Sequence, residues 1–268
     1  MPYSKTLVAD SVIQRLIENQ GIYSYMNRSF DGLVQQGANS VDVPKLSAVT
    51  VKTAGTPLVD ATRKKAKADT SMVNVPLNAY AVPLAEEILA QYETNGNLIK
   101  EYLNSASMTL QEYFDTLVIT EAQTTTDAAA FAGATMGWPD IVNIMKQFDL
   151  NKVPKTGRVI VIDANLADEF FAIDVIKNAV GYNQQFLTTG TLLNILGMKF
   201  FISGLVPAIG GKTNIVGIYG PGLAFILSRF GELKQTWDSV NLQNINDMLA
   251  HAGYKLFDNK FAVVRTHA

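Results

Sequence analysis

The spacing of apolar residues alternates along the chain between a period of three to four and a period of two, and each period predicts a different element. The longest helical pattern covers residues 98–122, which at about 1.5 Å per residue would form a rod about 40 Å long. Asp163 can cap a further helix, and Pro139 and Pro221 suit the first position of one. Shorter helices are predicted over residues 10–20, 85–92, 139–148 and 221–230.

Alternation of apolar and polar residues predicts strands in the first third and in the second half of the chain. Val49 and Val51 have polar neighbours, as do Val73, Val75 and Leu77. Because about 20 residues separate these two runs, we predict a long hairpin-like excursion with a polar tip, too thin to bury a core of its own. Further strands are predicted at 159–162, within 191–207 with a break at Gly197, and at 214–220, 248–258 and 261–267.

Three segments are predicted to connect these elements. Residues 21–40 are rich in Gly, Ser, Asn and Gln and look like an arm or connection. Residues 123–137 have the composition of a flexible linker, and Asn259–Lys260 is the predicted turn between the last two strands. No internal repeat is visible, so helices and strands together indicate an α+β protein.

Composition narrows the class of protein. Apolar residues make up 48% and charged residues 17% of the chain, against a usual charged share of about 25%. A surface covered by partners would explain the low charge, and so would a large compact enzyme. The net charge of −2 gives no global attraction to DNA or an anionic membrane. With no cysteine, no disulfide or thiolate metal site exists. The start resembles no signal peptide, so we expect a cytoplasm-like compartment and no membrane.

Charge is distributed unevenly. A basic cluster places Arg63, Lys64, Lys65 and Lys67 within five positions. No aromatic residue lies nearby to stack on bases, which argues against nucleic-acid binding. The cluster is interpreted either as a solvated tip that prevents sticking or as a contact with an acidic surface on another copy. Residues 41–83 carry a net +3, which leaves −5 for the rest of the chain. The acidic candidates for such a contact lie on the long predicted helix: Glu101, Glu112, Asp115 and Glu121.

Motifs for catalysis are weak. The stretch IGGKT (209–213) has Val206 where a phosphate-binding loop needs glycine, so a Gly–Gly turn is the better interpretation. YGPG (219–222) is no dinucleotide fingerprint, because its proline interrupts that pattern. We interpret Asp163, Asp168 and Glu169 as capping and first-turn acids rather than as acid–base catalysts. His251 has no second metal-ligand residue at helical spacing. We therefore predict no enzymatic activity, no cofactor and no metal.

The order of these parts resembles the major capsid protein of tailed bacteriophages, which has the Hong Kong 97-type fold. That order is an arm, a two-stranded excursion with a basic tip, a long helix, a strand–helix region and closing strands. Three stretches carry the resemblance in detail and together make it span nearly the whole chain: GWPDIVNIMKQFDLNKVPKTGRVIVIDANLADEFF (137–171), GTLLNILGMKFFISGLVPA (190–208) and AGYKLFDNKFAVVR (252–265).

The resemblance implies a domain map. Residues 1–39 would be an N-terminal arm, and 40–84 an extended loop that lies over a neighbouring subunit. A peripheral domain containing the long spine helix would comprise 85–125 with 243–268. An axial domain, 126–242, would meet its copies around the five- and six-fold positions. The implied function is an icosahedral shell of hexamers and pentamers that encloses packaged double-stranded DNA, assembled in the host cytoplasm and found in the virion.

The resemblance also implies partners. Because only about 40 residues precede the loop strands, a separate scaffolding protein is expected rather than a cleaved scaffolding segment, together with a portal and a possible decoration protein. Lys64, Lys65 or Lys67 could form the lysine–asparagine cross-link of the family's type member, but non-covalent contacts are the favoured interpretation. Two alternatives remain: a cellular nanocompartment shell of the same fold, and a soluble enzyme whose site the residues do not reveal.

Overall fold

The computed structural model describes residues 21–34, 38–46, 70–87, 98–177, 194–240 and 243–267. Within these ranges the chain forms two sheets flanked by helices. The α-helices are α1 (Leu98–Gln123), α2 (Trp138–Leu150) and α3 (Ala167–Ala172). The strands are β1 (Ser40–Leu46), β2 (Thr70–Glu87), β3 (Ala128–Ala130), β4 (Arg158–Asp163), β5 (Asn194–Ile195), β6 (Met198–Ser203), β7 (Asn214–Tyr219), β8 (Leu223–Asp238), β9 (Gln243–Leu256) and β10 (Ala262–Thr266).

Helix α1 confirms the predicted long helix and packs on the four-stranded sheet. Its apolar face, with Phe114, Val118 and Ile119, is fully buried in the largest core of the described residues. The ring of Phe114 lies at the centre of this core, with its centroid 5.4 Å from that of Phe225 and 5.9 Å from that of Tyr80. A helix of this length is stabilised mainly by such tertiary packing rather than by intrinsic propensity.

The four-stranded sheet has the antiparallel order β1-β2-β9-β8, and it overturns the helix predicted for 221–230. Pro221 lies in a single 3-10 turn, Gly220–Gly222, after which the chain is strand as far as Asp238. The run from Leu223 to Ile226 is buried on both faces. A strand covered on both sides has a continuous apolar sequence, which periodicity cannot distinguish from a buried helix.

Strand β2 contradicts the start of the helix predicted for 85–92. Residues Ala85 to Glu87 pair with β9, Ala85 opposite Ile245 and Glu87 opposite Gln243. Local helix propensity is a weak preference that such tertiary pairing overrides. The remainder of that prediction, residues 88–92, lies outside the described residues, as does the helix predicted for 10–20.

The base of the predicted excursion is the β1–β2 hairpin, and it packs on its own chain. Val41 and Val43 from β1, with Val75 and Leu77 from β2, form a third core with Ala224 and Ile226 of β8. These side chains form a core only together with β8, which agrees with the prediction that the excursion is too thin to bury a core of its own. Val49, Val51 and the rest of 47–69 lie outside the described residues.

The six-stranded sheet has the order β3-β10-β7-β4-β6-β5 and contains both parallel and antiparallel pairs. Strand β4 is buried along its whole length, as the apolar run at 159–162 predicts. Helix α2 packs across the sheet through Ile144 and Phe148. The predicted Asp163 cap is confirmed, since its Oδ1 accepts a hydrogen bond from Asn165 N at 2.9 Å.

The predicted linker 123–137 contains a strand and three buried side chains, those of Thr125, Phe131 and Met136. Residues 128–130 form β3, which pairs in parallel with β10. The hydroxyl of Thr125 donates to the carbonyl oxygens of Asn259 and Ala262 at 2.8 and 3.0 Å. A polar side chain of the kind that led to the linker prediction thus forms hydrogen bonds with residues near the end of the chain.

Sheet membership crosses the domain boundary implied at 242/243. Strand β8 pairs along its length with β9 in the four-stranded sheet, although it precedes that boundary. Strand β10, at the end of the chain, pairs with β7 and β3 in the six-stranded sheet. The two sheets are therefore linked by strands from both sides of the boundary.

Candidate assembly surfaces

Two of the sequence features considered as possible catalytic motifs, the Gly–Gly stretch at 210–211 and Glu169, have structural roles in the described part of the chain. Gly210 and Gly211 have φ angles of +61° and +77° and form a turn in which Ile209 bridges Lys212. These left-handed angles favour glycine and confirm the Gly–Gly turn. Glu169 Oε2 accepts from Met136 N at 2.6 Å, which joins the first turn of α3 to the segment before α2. No group of three or more potential metal ligands occurs among the described residues.

The predicted basic cluster, Arg63, Lys64, Lys65 and Lys67, lies outside the described residues. Its place in the chain is nevertheless defined by what flanks it. Leu46 and Thr70 are paired at the end of the β1–β2 hairpin, so the 23 residues between them connect adjacent strand ends. Contact between this cluster and another copy of the chain stays a prediction.

Three of the four acidic candidates on α1 have described side chains. One of them is exposed, and two accept hydrogen bonds from other parts of the same chain. Glu112 is exposed. Asp115 is only 7% exposed, and its Oδ1 accepts a hydrogen bond from Tyr23 N at 2.8 Å. Glu121 Oε1 accepts from Leu256 N and lies 3.1 Å from Lys255 Nζ. For Glu101 the structure describes only its place in α1. The acidic surface that the sequence predicts is therefore reduced, in the described part of α1, chiefly to Glu112.

Burial changes the acidity of Asp115. Removal of its carboxyl from water raises its pKa to about 6, because the charged form is poorly solvated there. Hydrogen bonds from the backbone of Tyr23 and Ile22 lower the pKa in part, and the nearby charge of Glu112 raises it. The carboxyl of Asp115 thus titrates close to neutral pH rather than near pH 4.

From Ser105 to Gln123, where the side chains of α1 are described, its outward face is mostly uncharged. The hydroxyls of Thr109, Thr116 and Thr120 each donate to the carbonyl four residues earlier, at 3.0, 2.9 and 2.7 Å. These hydroxyl protons are therefore used within the helix. Met108 and Tyr113 add exposed apolar area to the same helix. A face of this kind suits contact with a neutral surface. It differs from the strongly acidic rod that the sequence predicts.

The tip of the β8–β9 hairpin exposes apolar side chains at the far end of the four-stranded sheet. Trp237 is 48% and Val240 86% exposed. Asp238 Oδ1 accepts from Val240 N at 2.9 Å and shapes the turn. Exposed large apolar side chains at a projecting tip mark a candidate contact with another protein. Sequence reasoning missed this tip; the signal was a tryptophan and a valine close together in the largely polar stretch GELKQTWDSVNLQ (231–243).

Comparison with known proteins identifies the architecture. No protein-family model and no curated protein matches the chain. Among solved structures, a chain of Mycobacterium phage Che8 superposes with a TM-score of 0.71 at 19% identity, with 92% of this chain and 91% of that chain covered. The capsid asymmetric unit of cyanophage Pam1 gives a TM-score of 0.69 at 11% identity, with 93% and 90% covered. The holo-SrpI encapsulin complex of Synechococcus elongatus PCC 7942 gives 0.60 at 12% identity, with 86% and 82% covered.

These likenesses define the class of protein by its fold. The chain has the Hong Kong 97-type capsid fold, with α1 as the spine helix and the β1–β2 hairpin as the base of the extended loop. The predicted fold is thereby confirmed. No helix in the described ranges is long and apolar enough to span a bilayer.

Proposed function

We propose that this chain is the major capsid protein of a tailed bacteriophage, which self-assembles into an icosahedral shell around packaged double-stranded DNA. The observation that carries the proposal is the extent of the fold match, in which about nine-tenths of this chain and of the phage chains superpose. A match over about nine-tenths of each chain leaves too few unmatched residues for a further catalytic domain within this sequence.

The physical properties of the chain support a shell subunit. A closed shell needs many modest contacts repeated by symmetry, because closure multiplies their effect. A chain with a net charge of −2 also binds the DNA backbone weakly, since non-specific affinity comes from cations that neutralise phosphates. Such a lining would enclose the genome and still allow its release.

Contacts between copies are assigned to three surfaces in this proposal. The apolar tip at Trp237 and Val240 projects from the four-stranded sheet, where it can meet a neighbouring subunit. Glu112 and the basic cluster at residues 63–67 would form a complementary pair between copies. Hexamers and pentamers would share these contacts. A separate scaffolding protein, a portal and a possible decoration protein would be the further partners.

A nanocompartment shell is the second candidate, because the SrpI encapsulin also superposes over most of its length. Such a shell would enclose a cargo enzyme instead of DNA. The two candidates differ in content: phage-type particles purified from infected cells would hold nuclease-protected DNA, whereas a compartment would hold protein. Portal and terminase genes beside the coding sequence would support the phage.

The direct test is assembly. The chain is expressed alone and together with candidate scaffolding proteins from neighbouring genes, and the products are examined by cryo-electron microscopy. Closed shells with five-fold vertices are the expected result. A protein that stays monomeric at high concentration in every combination would overturn the proposal. The Val240→Asp variant tests the projecting tip, because it leaves the buried cores untouched and is expected to fold normally but to form fewer shells.

A further inference from the structure

Residues 21–34, which we call the arm segment, pack along one edge of the four-stranded sheet. Ile22, Tyr23 and Met26 are buried. Asn27 forms a parallel bridge with Ala224, in which Asn27 N donates to Leu223 O and Phe225 N donates to Asn27 O, each at 3.0 Å. The arm segment therefore covers the start of the β8 edge, where backbone groups would otherwise face solvent.

The arm segment also connects the two sheets. The Tyr23 ring contacts Phe225 of β8, with their centroids 5.2 Å apart. Two residues later, the Tyr25 ring lies 5.3 Å from that of Phe201 in β6, and Lys199 Nζ lies 4.2 Å from its centroid. Release of this segment would uncover parts of both sheets and remove contacts between them.

Asp115 holds the point where the arm segment begins. Its Oδ1 accepts from Tyr23 N at 2.8 Å. A Cβ added at Gly21 would lie 2.9 Å from Asp115 Oδ2, closer than real Cβ contacts allow. The backbone at Gly21 thus packs directly against the carboxyl of Asp115. That carboxyl is a buried charged group at the junction of the arm segment and α1.

The groups around Asp115 do not neutralise it. On α1, Glu112 is a second acid and Gln111 a neutral amide; on the arm segment, Tyr23 presents its phenol. Arg28 of the arm segment pairs instead with Asp31, at 2.8 Å. From the sheet, Phe225 of β8 and Tyr80 of β2 pack around the neighbouring Phe114. Among the described residues no cation lies within ion-pair distance of Asp115. Burial, the largest effect, and the charge of Glu112 oppose its ionisation, and the backbone hydrogen bonds from Tyr23 and Ile22 offset this only in part.

We propose that Asp115 is a protonation-dependent catch, which holds the arm segment more tightly when its carboxyl is neutral than when it is charged. The catch belongs to the single chain and does not depend on shell formation.

The direction follows from linkage. With the arm segment bound, the pKa of Asp115 is raised to about 6 from its ordinary value of 3.8. With the arm segment released, water reaches the carboxyl and the ordinary value returns. Because the pKa of Asp115 is higher in the bound state, protonation of Asp115 strengthens binding of the arm segment. This effect is complete below about pH 4 and is lost as the pH rises through 6. A difference of about two pKa units corresponds to a factor of about 100 in the binding equilibrium.

The first experiment measures amide hydrogen exchange of the unassembled full-length chain at pH 5.0 and pH 7.5, with intrinsic exchange rates corrected for pH. Protection of residues 22–33 is expected to fall at least tenfold at pH 7.5 in the native chain, while residues 159–162 of β4 keep theirs. In the Asp115→Asn variant, which keeps an oxygen acceptor without a charge, protection should not change with pH. Asp168→Asn, at an exposed acid on α3, is the matched control and should behave like the native chain.

A native chain whose arm protection is equal at both pH values would overturn the proposal, as would an Asp115→Asn variant that retains the pH dependence. A second measurement needs no variant. Titration of the Asp115 carboxyl carbon by NMR should give a midpoint near 6, and a midpoint near 4 would refute the catch. Gly21→Ala should loosen the arm segment at both pH values, since the added methyl displaces it from the carboxyl.

Discussion

Lys45 Nζ lies 2.9 Å from Asp258 Oδ2 and 3.1 Å from Phe257 O, which ties the end of β1 to the turn before the last strand. The two residues are 213 positions apart in the chain. Their contact lies close to where the described part of the extended loop ends, at Leu46. The base of the loop is therefore fixed on its own subunit, whatever residues 47–69 contact.

This ion pair should contribute modestly to stability. Burial by itself would raise the pKa of Asp258, but hydrogen bonds from Lys45 and Lys260 N, with the charges of both lysines, hold it below its ordinary value. Both side chains are partly exposed, so Lys45→Ala should cost no more than about 1 kcal/mol. A depressed carboxylate pKa contributes stability above pH 4, and this contribution is lost as the pH falls below it.

A double-mutant cycle with Lys45→Ala and Asp258→Asn, measured by urea unfolding at pH 7 and pH 3, isolates the pair. The coupling energy should be larger at pH 7 than at pH 3, because protonation of Asp258 weakens the pair as the pH falls. Equal coupling at both values would show that the contact is not ionic.

Gly217 should be required by the packing of α2 on the six-stranded sheet. A Cβ at this position would lie 2.7 Å from Ile144 Cγ2 and 3.0 Å from a ring carbon of Phe148. Gly217→Ala is expected to destabilise the chain by about 1–3 kcal/mol, the usual cost of overpacking a dense core. Gly204→Ala is the control, because nothing lies within 4 Å of a Cβ added there. Similar urea midpoints for the two variants would contradict this account of the packing.

The apolar hairpin tip should act in assembly and not in folding. Val240→Asp is expected to leave the urea midpoint nearly unchanged, since exposed positions away from special features tolerate substitution. The yield of closed particles should fall at least tenfold, because a charge would then be buried without a partner between subunits. Val240→Ala serves as the conservative comparison and should assemble. Particle yield is measured by sedimentation and electron microscopy, and normal yield for Val240→Asp would remove the tip from the proposed contacts.

The basic cluster should attract a neighbouring subunit. Reversal of Arg63, Lys64, Lys65 and Lys67 to glutamate is expected to leave monomer folding intact and to impair assembly. The defect should be larger at low salt, where the native attraction is screened least. Assembly is measured by light scattering across ionic strengths, with Glu112→Lys as the complementary variant. If the charge-reversed variant forms normal particles at every ionic strength, the cluster serves only to keep the loop soluble.

Local signals were sufficient for much of the architecture. The three- and four-residue spacing in 98–122 predicts α1 to within a residue at its end, and Pro139 and Asp163 mark the starts of helical segments that the structure contains. The order of arm, excursion, long helix and closing strands was also enough to predict the capsid fold. These features depend on short-range geometry and on order along the chain, both of which are present in a single sequence.

The errors lie where a segment's partners are distant in sequence. The run after Pro221 is apolar on both faces because α1 covers one side and the β1–β2 hairpin the other, so it has no strand period to detect. Asp115 has the spacing of a surface acid on an amphipathic helix, but it is buried where the arm segment, 92 residues away, packs against it. Thr125 lies in a stretch with the composition of a linker, and its hydrogen-bond acceptors, Asn259 O and Ala262 O, come from near the end of the chain.

The sequence alone determined the periodic elements, the absence of cysteine chemistry and the order of parts, because each of these is written in neighbouring residues. The tertiary structure decided which strands share a sheet, which acids of α1 face inward, and that the loop base rests on its own subunit. Those outcomes depend on which surfaces meet, and burial between surfaces is a property of pairs of segments that neither segment encodes by itself.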